Sequence, residues 1–118
     1  MFSSKAIERV KVIQKKIGFI EAIVEQNGSV IKALQDEQNA RASILMHLTS
    51  IAEQFDKLLH NGELEILSHF DKQDIKGSYD LRNFIAHDYE GIDLYIVEDV
   101  INERLQIINE SVNKVLSL

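Results

Sequence analysis

Apolar side chains recur at intervals of three and four along almost the whole chain, and no proline interrupts them. The pattern opens with Ile7, Val10, Ile13, Ile17, Ile20 and Val24 and closes with Ile96, Val97, Val100, Ile101, Leu105, Ile108, Val112 and Val115. Such spacing puts the apolar positions on one side of an α-helix, whereas a half-buried strand needs alternation by two. With only five glycines and no proline, the chain also lacks the turn residues of a β protein. The expected fold is all-α: one domain over residues 1–118, an antiparallel up-and-down bundle of four principal helices plus a short extra one.

Local signals divide the pattern. The first helix is expected from Ser4, its N-cap, to Gln26, and Asn27-Gly28-Ser29 then stops it and supplies Ser29 as the next cap. Val12, Phe19 and Ile23 form a second apolar strip beside the first, more than one packing face requires, which hints at an oligomer surface. A second helix is expected to reach His60, with Ile31, Leu34, Leu45, Leu48, Ala52, Phe55 and Leu59 inward. Its polar middle, Gln35 to Arg41, either bridges subunits, faces a cleft or crosses the surface. Asn61-Gly62 makes a turn before a short helix bearing Leu64, Ile66, Leu67 and Phe70, and a polar stretch runs from Asp71 to Ser78. Ser78 is the expected cap of the next helix, Gly91 its end, and Asp93 the cap of the last.

At 118 residues, with 45% hydrophobic and 27% charged, the chain can bury a single core and is not disordered. Cysteine is absent, which removes disulfides and thiolate metal sites. Met1 to Lys5 lacks the apolar core of a signal peptide, and no apolar run approaches the roughly 20 residues that span a bilayer. The expectation is a cytoplasmic protein with no membrane insertion. The net charge of −6 disfavours casual binding to a polyanion, yet it is unevenly spread. Residues 1 to 20 hold Lys5, Arg9, Lys11, Lys15 and Lys16 against Glu8 alone, a local +4 that leaves −10 on the remainder. Lys5, Arg9 and Lys16 share one side of the first helix, where they form either a track for RNA or an ordinary solvated face.

The most specific string is Arg82-Asn83-Phe84-Ile85-Ala86-His87-Asp88-Tyr89. Within about two helical turns it places a permanent cation, an amide, a group that titrates near neutrality and a phenol, a set suited to handling phosphate. Glu90-Gly91-Ile92-Asp93-Leu94 follows. The whole string resembles the signature of the HepT-like proteins of the HEPN superfamily: arginine, a polar residue, a short spacer, histidine, one residue and tyrosine, then a Gly-Ile/Val-Asp-Leu turn into a long helix. The proline and tryptophan that usually precede the signature are missing here. The resemblance implies a metal-independent endoribonuclease toxin that acts on tRNA or mRNA as a homodimer, needs no cofactor, and is paired with a minimal nucleotidyltransferase antitoxin of the MntA kind. It implies Arg82 and His87 as catalytic residues, Asn83 in support, and Tyr89 as the residue silenced by adenylylation. A looser match, Arg41 to His47, has Ala42 and Thr49 at the other positions and about 240° between its ends, and reads as coincidence.

RNA is cut without a metal when a base takes the 2′-hydroxyl proton, a cation steadies the phosphorane and an acid protonates the leaving 5′-oxygen. Histidine suits proton transfer and arginine's planar fork suits the phosphate, so His87 and Arg82 fit these roles, with 2′,3′-cyclic phosphate and 5′-hydroxyl products. Five residues of regular helix, however, set the two about 140° and about 7.5 Å apart. Either Arg82 reaches round, or the helix ends near His87, or a second subunit completes the site. The plainer alternative is a surface arginine paired to Asp80 or Asp88, a helix-end histidine bonded to carbonyls, and Tyr89 as an amphipathic residue at the core's edge. Asp80, Asp88, Glu90 and Asp93 crowd the string and suit the docking of a basic partner better than strong RNA binding. His47, His60 and His69 have no ligand-like spacing, and no Gly-rich phosphate loop is present. Two rivals therefore stand beside the nuclease: a non-catalytic substrate-binding subunit of a minimal nucleotidyltransferase, and a helical dimer scaffold with a vestigial motif.

Overall fold

Four of the helices start where a small polar residue replaces a missing helical hydrogen bond. In the computed structural model, which describes all 118 residues, every regular element is helical. Helix α1 (Ser4–Asn27) starts on Ser3, one residue ahead of expectation, whose hydroxyl accepts the Ala6 N–H at 3.0 Å. Gly28 ends it at φ 92°, a left-handed conformation that a side chain would oppose. Ser29 then caps α2 (Val30–Gln35) through the Lys32 N–H, as its sequence position suggested.

The expected second helix is two. The polar run Asp36–Asn39 forms a turn between α2 and α3 (Ala40–His60) instead of a polar face on a continuous rod. Asp36 accepts the Ala40 N–H at 3.1 Å, and Arg41 Nε donates to the Leu34 carbonyl at 2.7 Å, so this polar segment supplies the partners that two helix ends lack. Arg41 is thereby committed to a backbone carbonyl and His47 packs against Phe19, which separates the members of the looser arginine-histidine match.

After the Gly62 turn (φ 69°) come α4 (Leu64–Leu67) and α5 (Lys72–His87). Helix α5 begins at Asp71, which accepts the Gln73 N–H at 2.8 Å, seven residues before the expected Ser78 cap. The polar stretch is its first two turns, and Ser78 instead bonds back to the Ile75 carbonyl at 2.6 Å. The helix stops at His87, and a 3₁₀ turn over Tyr89–Gly91 follows, so Gly91 closes the turn and not the helix. Gly91 has a local reason: a β-carbon there would run into the Asp88 carboxylate. Asp93 caps the last rod as expected, through the N–H groups of Tyr95 and Ile96. That rod comprises α6 (Leu94–Asp99), a π turn (Val100–Arg104) and α7 (Leu105–Leu116).

The fold is thus all-α, with α1, α3, α5 and the α6–α7 rod as its four principal helices and two short extras, α2 and α4, where one was expected. Helix α1 packs on α3, α3 on α5 and α1 on α7, around a core that includes Ile13, Ile17, Leu45, Phe55, Leu105 and Val112. Leu59 and Ile96, expected inward, are exposed, because each sits at an edge of its stripe that no neighbouring helix covers. The fourth side of the bundle is open. Helix α5 barely touches the α6–α7 rod, and two cavities of about 300 and 370 Å³ run along the seam. One clamp crosses it: at the end of the π turn, Arg104 donates to both oxygens of the buried Asp74 at 2.6 and 2.9 Å, with Asp71 at 3.6 Å. No helix is long and apolar enough to cross a membrane.

Candidate functional site

The arginine of the motif belongs to a groove between α3 and α5. Its walls are Ala42, Leu45, Met46 and Thr49 from α3, and Arg82, Ile85, Ala86 and Tyr89 from the motif segment. The pattern that makes α5 amphipathic explains the placement: Ile75, Tyr79, Arg82, Ile85 and Ala86 lie on the stripe that meets α3. Arg82 therefore points toward the bundle, with its side chain partly covered.

Two side chains hold its guanidinium fork. Asp56 of α3 lies 3.8 Å from Arg82 Nη1, and the Tyr79 ring lies under the guanidinium, 5.6 Å from its centroid. Asp56 also faces His60, whose Nδ1 is 3.3 Å from the carboxylate and 2.9 Å from the Asp56 carbonyl. The Tyr79 hydroxyl is buried without a partner, and burial, reinforced by the Asp56 charge and opposed by Arg82, raises its pKa above the ordinary phenol value of 10.0. The alternative surface pairing of Arg82 with Asp80 or Asp88 does not occur, since Asp80 is taken by Lys76 at 2.7 Å and Arg82 turns the other way.

An ion pair this open, at 3.8 Å, contributes ~0–1 kcal/mol. A phosphate, which arginine grips through two parallel hydrogen bonds, is a stronger partner than this single long contact. The arrangement thus presents a pre-aimed cation whose resident counter-ion is replaceable.

His87 is elsewhere. It is the last residue of α5, exposed, with no side-chain hydrogen bond, and it does not line the groove that holds Arg82. Regular helix over residues 82–87 keeps the two about 140° apart, so one chain does not aim both at one atom. Asn83, also exposed, lies about 40° from His87 around the helix and shares its outward face. Tyr89 does share the groove with Arg82, and it is partly buried against the core. On α1, Lys5 and Arg9 border a shallow depression with Glu8 and Val12, and Arg9 reaches Gln54 at 3.4 Å, while Lys16 lies over the Phe19 ring. No three His, Asp or Glu side chains are gathered so as to hold a metal ion.

Neither Asp56 nor Tyr79 was read from the sequence as part of this site. Asp56 is 26 positions from Arg82, and no local spacing links an α3 carboxylate to an α5 arginine before the helices pack. Tyr79 carried a local signal, since residues three apart on a helix are neighbours and an arginine beside an aromatic ring stacks on it.

No curated protein and no solved structure matches the chain. A family model described as ribonuclease HepT-like matches residues 5–115, from the first turn of α1 to the last of α7. The chain belongs to the HepT-like ribonuclease family of HEPN type.

Proposed function

We propose that the protein is a metal-independent endoribonuclease toxin whose cleft is completed by a second copy of the chain. The observation that carries this reading is the split of the motif: Arg82 in the α3/α5 groove, His87 and Asn83 on the outward face. Beside that outward face, Phe84 is 44% exposed and Ile96 58% exposed, and both line the open seam. Apolar surface of this kind, next to a histidine that needs a phosphate brought to it, suits a homodimer contact. In such a dimer Arg82 holds the scissile phosphate, one His87 takes the 2′-hydroxyl proton, and the second copy's histidine protonates the leaving 5′-oxygen. The substrate is tRNA or mRNA, and the products carry 2′,3′-cyclic phosphate and 5′-hydroxyl ends.

Silencing follows from the shared groove. An AMP group on Tyr89 would set a phosphate beside Arg82 and occupy its fork, so adenylylation by an MntA-like nucleotidyltransferase antitoxin would block the substrate's own phosphate. The protein works in the cytoplasm, where RNA and such a partner meet.

Cleavage of total RNA in excess EDTA tests the reading, with wild type beside His87→Ala and Arg82→Ala. Wild type should cut and leave cyclic-phosphate ends, and loss of the histidine should slow cutting by roughly 10²–10⁴-fold. Phe84→Asp should give a folded monomer by light scattering and lose cleavage with it. No cutting by folded wild type would favour the non-catalytic partner of a nucleotidyltransferase, a reading supported by the exposed acids Asp80, Asp88, Glu90 and Asp93 around His87.

A further inference from the structure

On the other flank of α3, Phe19 of α1 is 41% exposed, although a phenyl ring gains most from burial. Its surroundings are not apolar. Lys15 and Lys16 hold their ammonium groups 5.8 and 5.6 Å from the ring centroid, and the His47 ring leans on it at 5.2 Å and 47°. His47 Nδ1 is buried with no partner, and burial, helped by the Lys16 charge, lowers the histidine's pKa, so the imidazole is neutral near pH 7. An aromatic face framed by two cations, with a neutral ring behind it, is the composition that binds a nucleobase and its two flanking phosphates.

Position strengthens the case. Phe19 continues the basic side of α1, since Lys5, Lys16 and Arg9 fall about 40°, about 60° and about 80° from it around the helix. This segment carries the local +4 in a chain of net −6, so a polyanion meets favourable charge here and repulsion over most of the remaining surface. Met46, the residue before His47, lines the Arg82 groove, while the Arg82 fork lies by Asp56, so the two places are separated by the breadth of α3, about 10 Å, and by about 13 Å along its axis. A few nucleotides of single strand bridge that gap, while a stiff duplex cannot bend over one helix.

We propose that Phe19, framed by Lys15, Lys16 and His47, is a stacking platform for a base of single-stranded RNA that crosses α3 from the Arg82 groove. The inference rests on RNA being the substrate class. The weak cation–π contacts release the lysines to the phosphates when a base displaces them from the ring.

Binding without cleavage provides the test. A fluorescein-labelled twelve-nucleotide uridylate is titrated by anisotropy against the full chain carrying His87→Ala, then with Phe19→Leu, Phe19→Tyr or Lys15→Ala/Lys16→Ala added. Phe19→Leu should weaken binding about tenfold and Phe19→Tyr should restore it. The double lysine change should reduce the slope of log affinity against log salt by about 1.4. Equal binding by Phe19→Leu and its parent, no binding by the parent, or equal affinity for a twelve-base-pair duplex overturns the proposal. So does dissociation of a wild-type dimer by Phe19→Leu, which would make the ring a contact between copies. Because the titration needs no turnover, its failure is distinct from a failure of wild type to cut RNA.

Discussion

Helices α3 and α5 lie side by side, yet they are held by different forces. In α3, nine residues are buried, eight of them apolar or alanine, and Phe55 meets Phe70 edge to face at 5.1 Å. In α5 the only buried residue is Asp74, an acid clamped by Arg104 across an otherwise open seam. The scaffold helix is fixed by area removed from water, a force without direction that tolerates little loss of volume. The motif helix is fixed by half-buried side chains on one flank and a bidentate ion pair near its start. The difference teaches where surface remains for function: the weakly buried helix carries Arg82 inward, His87 outward, and an uncovered apolar edge between Phe84 and Ile96.

The contrast breaks most readily on stability. Phe55→Ala should cost about 3–5 kcal/mol in urea unfolding, whereas Ile85→Ala in α5 should cost only about 1–2 kcal/mol, because its side chain is partly solvated already. Equal losses would show the motif helix to be as deeply anchored as the scaffold. The clamp comes next. Arg104→Met leaves Asp74 buried without its partner, so the amides of Lys72–Tyr79 should exchange faster by hydrogen-exchange mass spectrometry while those of α1 and α3 keep their rates. Unchanged exchange in α5 would mean that its contacts with α3 suffice alone.

Smaller effects sharpen the comparison at the two flanks of α3. Tyr79→Phe deletes a buried hydroxyl that has no partner and should raise stability by about 1 kcal/mol. It should also remove a pH dependence. The folded chain holds the Tyr79 proton above pH 10, where the unfolded chain releases it, so wild-type stability falls as pH rises through 10 and the variant loses that part of the fall. On the other flank the sign is reversed. His47 titrates below 6.5 in the folded chain, so its contribution is complete above 6.5 and fades as pH drops below it. His47→Gln should flatten that decline, read from urea midpoints between pH 5 and 7. A persistent slope would assign it to another group.

The amino-acid order was enough for whatever depends on neighbours along the chain. Three-and-four spacing set the helices and most of their buried faces; Ser29, Gly28 and Asp93 marked ends where they stand; and the Arg82-to-Tyr89 string carried the family. The misreadings share one cause. Gln35–Arg41 and Asp71–Ser78 are both polar, yet the first breaks a helix and the second begins one, and the choice turns on partners such as the Leu34 carbonyl and Arg104 that packing brings near. Tertiary structure alone decided that Arg82 meets Asp56, that Arg104 clamps Asp74, and that one side of the bundle stays open. These are contacts between segments far apart in sequence, and periodicity holds no information about which faces of different helices will meet.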